Sequence, residues 1–277
     1  MRIYISADLE GISGVVHGDQ VGASGPDYRR TRKLLTREVN AAVAGAVDAG
    51  ASEVVVNDGH GGMRNVLIEE IDRRARLLTG APKLMGQMEG IDSEGGFAGL
   101  ALIGYHARAG TQGVLNHTIS GAVVSRLVLN GVEVGEAGMS AAIAAHYGIP
   151  LVFVSGDGAV CREVNELYPD AITVAVKEDA GRYAALSLPT EVAQEVIRQG
   201  MADAVRAAAA GDIPAPTAQS PATVELTTKD TAMADLAGLL PGSVRKDSLC
   251  LEYTADDVPA AYRALRAMIY LASCSNR

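Results

Sequence analysis

The chain contains no tryptophan and only two phenylalanines, and aromatic residues make up just 4% of it. Cysteine is scarce too. Cys161, Cys250 and Cys274 are odd in number and far apart, which excludes a disulfide framework and a cysteine-rich structural zinc motif. Basic charge is in deficit, with 24 Lys and Arg against 33 Asp and Glu and a net charge of −9. No nucleic-acid partner is expected from such a balance. The one basic run, Arg29-Arg30-Thr31-Arg32-Lys33, falls on a predicted helix and reads as a solvated face. No window approaches ~18 uncharged apolar residues, so no membrane span is expected. The opening Met1-Arg2-Ile3-Tyr4-Ile5 reads as a strand with no signal-peptide pattern. A cytoplasmic location follows by elimination.

What is present is a regular alternation of apolar runs and helical stretches over 277 residues, 48% of them hydrophobic. Residues 2–8 read as a strand. A glycine-rich segment (Gly11, Gly14, Gly18, Gly22, Gly25) follows, then a helix from Tyr28 to Ala49 whose apolar positions recur at helical spacing. Glu53 to Asn57 is the next buried strand, so strand, helix and strand form a parallel crossover. A helix is predicted over 64–72, with strands at 76–78 and 100–103. Val123 to Leu129 alternates ahead of a hairpin turn at Asn130-Gly131. A helix over 136–147, a strand at 151–155, a helix over 159–167 and a strand at 172–176 complete the unit. The expectation is an α/β fold with a mainly parallel sheet flanked by helices over residues 1–185. A smaller α+β domain is expected over 186–277, after a change to alanine-rich helix and a Pro/Gly linker at 211–216.

Chemistry gathers where these strands end. Ligands of open parallel sheets bind beyond the carboxyl ends of the strands. Asp8 and Glu10 follow the first strand at i and i+2, spacing that points both side chains one way. Asp58 and His60 follow the second, in Asn57-Asp58-Gly59-His60-Gly61-Gly62. Asp58 is read as a partner of an imidazole or a turn residue rather than a ligand. His106 follows the strand at 100–103, and His117 lies beyond it across a polar loop. Glu136 opens a helix in Val134-Gly135-Glu136-Ala137-Gly138, with Glu133 as its competitor. Carboxylates and imidazoles together form a ligand set for zinc-like divalent metals. Alone, each group has an ordinary structural explanation: acids cap turns, and a carboxylate at a helix start is an electrostatic cap. His17, in the glycine segment, and His146, late in a helix, are read as non-ligands.

With these motifs assembled, the chain resembles the D-aminopeptidase family of zinc peptidases. The matching segments are Ser6-Ala7-Asp8-Leu9-Glu10-Gly11-Ile12-Ser13-Gly14, Val56-Asn57-Asp58-Gly59-His60, Gly104-Tyr105-His106-Ala107-Arg108-Ala109, Asn116-His117-Thr118 and Val134-Gly135-Glu136-Ala137-Gly138. The resemblance implies two zinc ions (Zn2+) per subunit. Asp8 would bridge them, Glu10 and His60 would complete one site, and His106 and Glu136 the other. His117 would be the catalytic imidazole. It further implies hydrolysis of N-terminal, D-configured residues from short peptides by a metal-bridging water, and a homo-oligomer in the form of a decameric ring. Two rivals stand beside it: a two-metal phosphoesterase or amidohydrolase, and a non-catalytic peptide-binding subunit assisting dipeptide uptake.

Overall fold

The apolar runs become strands whose alternate residues face two different cores. In a computed structural model, which describes residues 1–276, the elements in chain order are β1 (Arg2–Ala7), α1 (Gly18–Val21), α2 (Tyr28–Asp48), β2 (Glu53–Asp58), β3 (Ala75–Leu78), β4 (Gly99–Tyr105), β5 (Val124–Leu129) and β6 (Val132–Glu133). There follow α3 (Glu136–His146), β7 (Leu151–Asp157), α4 (Gly158–Leu167), β8 (Ile172–Gly181), β9 (Ala184–Ser187), α5 (Thr190–Ala210), β10 (Ala222–Thr228), α6 (Thr231–Ala237), β11 (Val244–Arg245), β12 (Cys250–Ala255) and α7 (Val258–Ala272). A 3₁₀ turn at Gly86–Met88 lies between β3 and β4.

A seven-stranded sheet runs in the order β3-β2-β1-β4-β7-β8-β9, parallel except for the last strand. The chain moves from β1 outward to β2 and β3, then returns to place β4 on the other side of β1. That reversal opens a crevice beyond the carboxyl ends of β1 and β4, the place where open α/β sheets take ligands. Ile3, Ile5 and Ala7 of β1 pack with α2 and α5 on one face. Tyr4 packs with α3, α7 and a second sheet on the other. This division follows the two-residue period of a strand. The expected α/β class, with its mainly parallel sheet and flanking helices, is the observed one.

The second sheet is antiparallel, in the order β11-β12-β10-β5-β6. The boundary expected near residue 185 is not where the two sheets divide. Strand β5, from before it, pairs with β10 as well as with its hairpin partner β6, while α5, from after it, packs against α2 on the first sheet. The helix predicted over 64–72 is also absent; that stretch is a series of turns. Side chains capture its backbone instead. Asp58 accepts from the amides of Asn65 and Val66, Thr36 Oγ1 accepts from Leu67 N, and Asn40 bonds both Glu70 O and Asp72 N. Groups satisfied this way have no need of a helical ladder.

Helices α2 and α5 cross closely at Gly45, where an added Cβ would collide with the Arg198 carbonyl oxygen and touch the Met201 side chain. Ala is the better helix former by about 1 kcal/mol, but overpacking against backbone costs about 1–3 kcal/mol. Gly45→Ala is therefore expected to lower stability in urea denaturation. An increase would show that the two helices have room to separate.

Candidate metal centre

The strand ends are stitched to one another before any side chain is considered. Asp8 N donates to Ile103 O, Gly59 N to Ala7 O and Gly11 N to Gly104 O, each at 2.8 Å. The segment after β1 thus lies flat across the ends of β2 and β4. Gly11 is required there, because a Cβ would overlap the Tyr105 carbonyl. Four acids and imidazoles from three segments become buried together: Asp8 and Glu10 after β1, His106 after β4 and Glu136 at the start of α3 are each no more than 5% exposed. His60 and His117 border them from the cleft side, with side chains 13% and 20% exposed.

Three imidazoles are oriented in the same manner. His60 Nε2 lies 2.9 Å from Val21 O, His106 Nδ1 2.9 Å from Ala107 O, and His117 Nδ1 2.9 Å from Leu115 O. A carbonyl only accepts, so these nitrogens carry hydrogen and the opposite nitrogen of each ring faces the carboxylates. His60 Nδ1 is 3.1 Å from Asp8 Oδ1 and 2.9 Å from Glu10 Oε2. His106 Nε2 is 3.5 Å from Asp8 Oδ2 and 3.3 Å from Glu136 Oε1. His117 stacks on His106 with ring centroids 4.4 Å apart, and its Nε2 lies 3.7 Å from Glu136 Oε1.

Two groups that could hold a metal ion result, Asp8 with Glu10 and His60, and His106 with His117 and Glu136. The two oxygens of Asp8 face opposite ways, Oδ1 toward the first group and Oδ2 toward the second. Asp8 Oδ2 and His106 Nε2 are buried without a hydrogen-bond partner. Buried polar atoms are rarely left so, and these are oxygen and imidazole donors of the kind that zinc takes. The residues present fit a metal.

Electrostatics point the same way. Burial and the Glu10 charge push Asp8 up to about 6. Burial also works against ionisation of Glu136, but the facing His106 pulls it down to about 2. His106 is itself desolvated, yet Glu136, Asp8 and Glu10 hold it up to about 10. His60 is likewise raised well above the ordinary imidazole value by Glu10 and Asp8, against its burial. Three carboxylates in one dry site thus recruit positive charge from whatever lies beside them.

The cluster borders a cleft of about 350 Å³. Its walls include Met63, Gln87 and Ile119 and, from α7, Tyr262, Arg266 and Ile269. Backbone strain accompanies the loop that carries His117: Leu115 and Ile119 adopt φ of 51° and 57°, and Ile119 N donates to Glu136 Oε1 at 2.7 Å. Positive φ is rare for a β-branched residue and concentrates at functional sites.

The candidates Asp8, Glu10, His60, His106, His117 and Glu136 are therefore brought together. Glu133 is not; it pairs with Arg108 and Arg126 outside the cluster. Asp58 takes the turn role, organising the loop through Asn65 and Val66. His17 caps the short α1, and His146 ends α3. Residues absent from the sequence reading support the site. Gln87 Nε2 donates to Glu136 Oε2. Lys177 Nζ, 1% exposed, donates to the carbonyls of Glu10, Ile12 and Val15, while Glu38 accepts from Ser13 N at 2.9 Å. A lysine and a glutamate thereby clamp the segment bearing Glu10. The signal for Lys177 was its place at the end of the apolar run 172–176. Gln87 lies on an irregular turn and gives no such signal.

An α/β protein with two adjoining carboxylate–imidazole groups at its strand ends is the class that fold and site define. The peptidase M55 family profile, described as D-aminopeptidase, matches residues 1–267. A D-aminopeptidase of Bacillus subtilis (strain 168) is 33% identical over 273 residues, covering 98% of each chain. The solved structure of the Zn-dependent D-aminopeptidase DppA from Bacillus subtilis, a self-compartmentalizing protease, superposes with a TM-score of 0.94 at 32% identity, covering 99% of this chain and 98% of that one. The chain belongs to the D-aminopeptidase family.

Glu38 provides a test of the clamp. Burial, opposed by Ser13 N and Lys177, raises it from an ordinary 4.5 to about 7. Folding therefore favours its protonated form. Its contribution is fully present below about pH 4.5 and is lost as pH rises through about 7, a change on the order of 3 kcal/mol. Glu38→Gln lacks this loss. The variant is expected to gain on the wild type in thermal stability across that interval. Parallel pH profiles would contradict the burial of a titrating acid.

Proposed function

We propose that the protein is a zinc-dependent aminopeptidase that releases N-terminal D-amino acids from short peptides. The observation that supports this most directly is Asp8, whose two oxygens face two separate ligand groups. Asp8, Glu10 and His60 would hold one zinc ion, and Asp8, His106 and Glu136 the other. The family membership and the zinc dependence named for the Bacillus subtilis relative support the choice of metal. Zinc bound there supplies Lewis acidity, polarising a scissile carbonyl and acidifying water.

The chain's own residues then have distinct tasks. Val21, Ala107 and Leu115 carbonyls fix the three rings, so the opposite nitrogens need no reorganisation to act. His117 is the catalytic imidazole in this reading. It is the most accessible ring of the three and lines the cleft, where His106 is sealed beneath it. Because Nδ1–H is committed to Leu115 O, proton exchange falls to Nε2. As a neutral ring, Nε2 accepts a proton. Once charged, it donates to an oxyanion or to the leaving amine. Ile119 and Ile269 give the cleft apolar walls beside these groups.

Assembly into a decameric ring is part of the same proposal, supported by the self-compartmentalizing relative. A cytoplasmic location fits the three free cysteines. No helix among the described residues is long and apolar enough to cross a membrane.

Chelation with EDTA is expected to abolish release of D-residues from di- and tripeptides, and zinc to restore it. Full turnover without metal would contradict the proposal. So would faster hydrolysis of phosphate esters than of D-aminoacyl peptides in a side-by-side panel. His117→Ala is expected to keep its zinc content while kcat falls about 10²–10⁴-fold. Loss of zinc in that variant would make His117 a ligand instead.

A further inference from the structure

The cleft has a second polar pole. Arg266, on α7, is the one Arg or Lys among its lining residues, and it is 8% exposed. Nη1 donates to the carbonyls of Lys83 and Leu84, and Nη2 donates to Tyr270 Oη at 2.6 Å. The side chain also lies against the rings of Tyr262 and Tyr270, with Cζ 6.0 and 5.4 Å from their centroids. Three of the five guanidinium N–H groups are thus engaged, and two remain without a partner among the described residues. None of the three acceptors carries charge, and Arg266 forms no ion pair among those residues. A guanidinium held this deep without an anion has its lost hydration only partly replaced, by three neutral acceptors and two aromatic rings. The two N–H groups left over, one on Nε and one on Nη2, are the donors that a carboxylate accepts from.

Its position relative to the acidic cluster follows from the turn after β3. Gly86 has φ +51°, and its missing Cβ would lie 3.1 Å from Arg266 Cζ. The next residue, Gln87, bonds Glu136. Two consecutive residues therefore touch the two poles. The two poles are thus joined through neighbouring residues of one turn, both of which line the same cleft.

We infer that Arg266 binds the free α-carboxylate of the substrate, making the cleft selective for di- and tripeptides with an unblocked C-terminus. This rests on the peptidase reading above and narrows its substrate class. The amine end would lie toward the metal centre at Asp8, Glu10 and Glu136, and the carboxylate end toward Arg266. Arg266 acts in recognition only. It moves no proton and makes no bond in the reaction.

The test is calorimetric binding to the zinc-loaded protein of a reduced-bond D-aminoacyl dipeptide, as the free acid and as the C-terminal amide. The wild type is expected to bind the acid at least about tenfold more tightly, the scale of a lost charge-assisted contact. Arg266→Met should erase that preference by weakening the acid and leaving the amide within about twofold. Arg266→Lys keeps the charge without the fork and should retain part of the preference. Equal binding of acid and amide by the wild type overturns the inference without needing any variant to fold. Equal weakening of both ligands in Arg266→Met also overturns it, since that marks a residue that merely holds the turn at 83–86. Turnover of the ordinary peptide, measured in parallel, reports on the peptidase reading separately. A protein that discriminates acid from amide but cleaves neither would sink that reading and leave the carboxylate site standing.

Discussion

Three carboxylates that cannot all be negative together without a cation are the constraint around which this molecule is arranged. Asp8, Glu10 and Glu136 are buried within reach of one another, where repulsion is poorly screened. Protonated imidazoles answer part of that charge, since the two raised histidines are fewer than the three carboxylates they face. Divalent metal answers it more fully, and with donor atoms already aimed. A fold that spends stability on such a cluster has to recover it elsewhere. Here the recovery comes from two hydrophobic cores on either face of the parallel sheet.

The precision of the site comes from backbone rather than from side-chain packing alone. Each imidazole is anchored by a main-chain carbonyl, and each strand end is tied to its neighbour by a main-chain hydrogen bond. Lys177 and Glu38 extend this logic one layer outward, gripping the segment from Glu10 to Val15 by its peptide groups. Gln87 and Arg266 do the same on the far side, joining the turn after β3 to Glu136 and to α7. The acids and imidazoles of the cluster are thereby held by elements that are distant in sequence yet fastened to a single sheet edge.

Much of this was legible in the chain because a buried parallel strand announces itself. Continuous apolar runs end abruptly at Asp8, Asp58 and His106, so the polar residues beyond them had to share one edge. The hairpin at Asn130-Gly131 was readable for a local reason: both residues take positive φ, 50° and 82°, which Asn-Gly favours. Two features escaped. The stretch 64–72 has helical composition, but Asp58, Thr36 and Asn40 capture its peptide groups from outside, and no local pattern encodes that. The second sheet pairs β5 with β10 across about a hundred residues, a register that periodicity does not specify. Glu136 was found through its motif. Its separation from Glu133 needed the three-dimensional placement of Arg108 and Arg126.

The most direct measurement is zinc-edge anomalous diffraction from crystals of the zinc-loaded protein. The account predicts two peaks per chain about 3.5–4 Å apart, one beside Glu10 and His60, the other beside His106 and Glu136, with Asp8 between them. A single peak, or peaks lying away from Asp8, would contradict it.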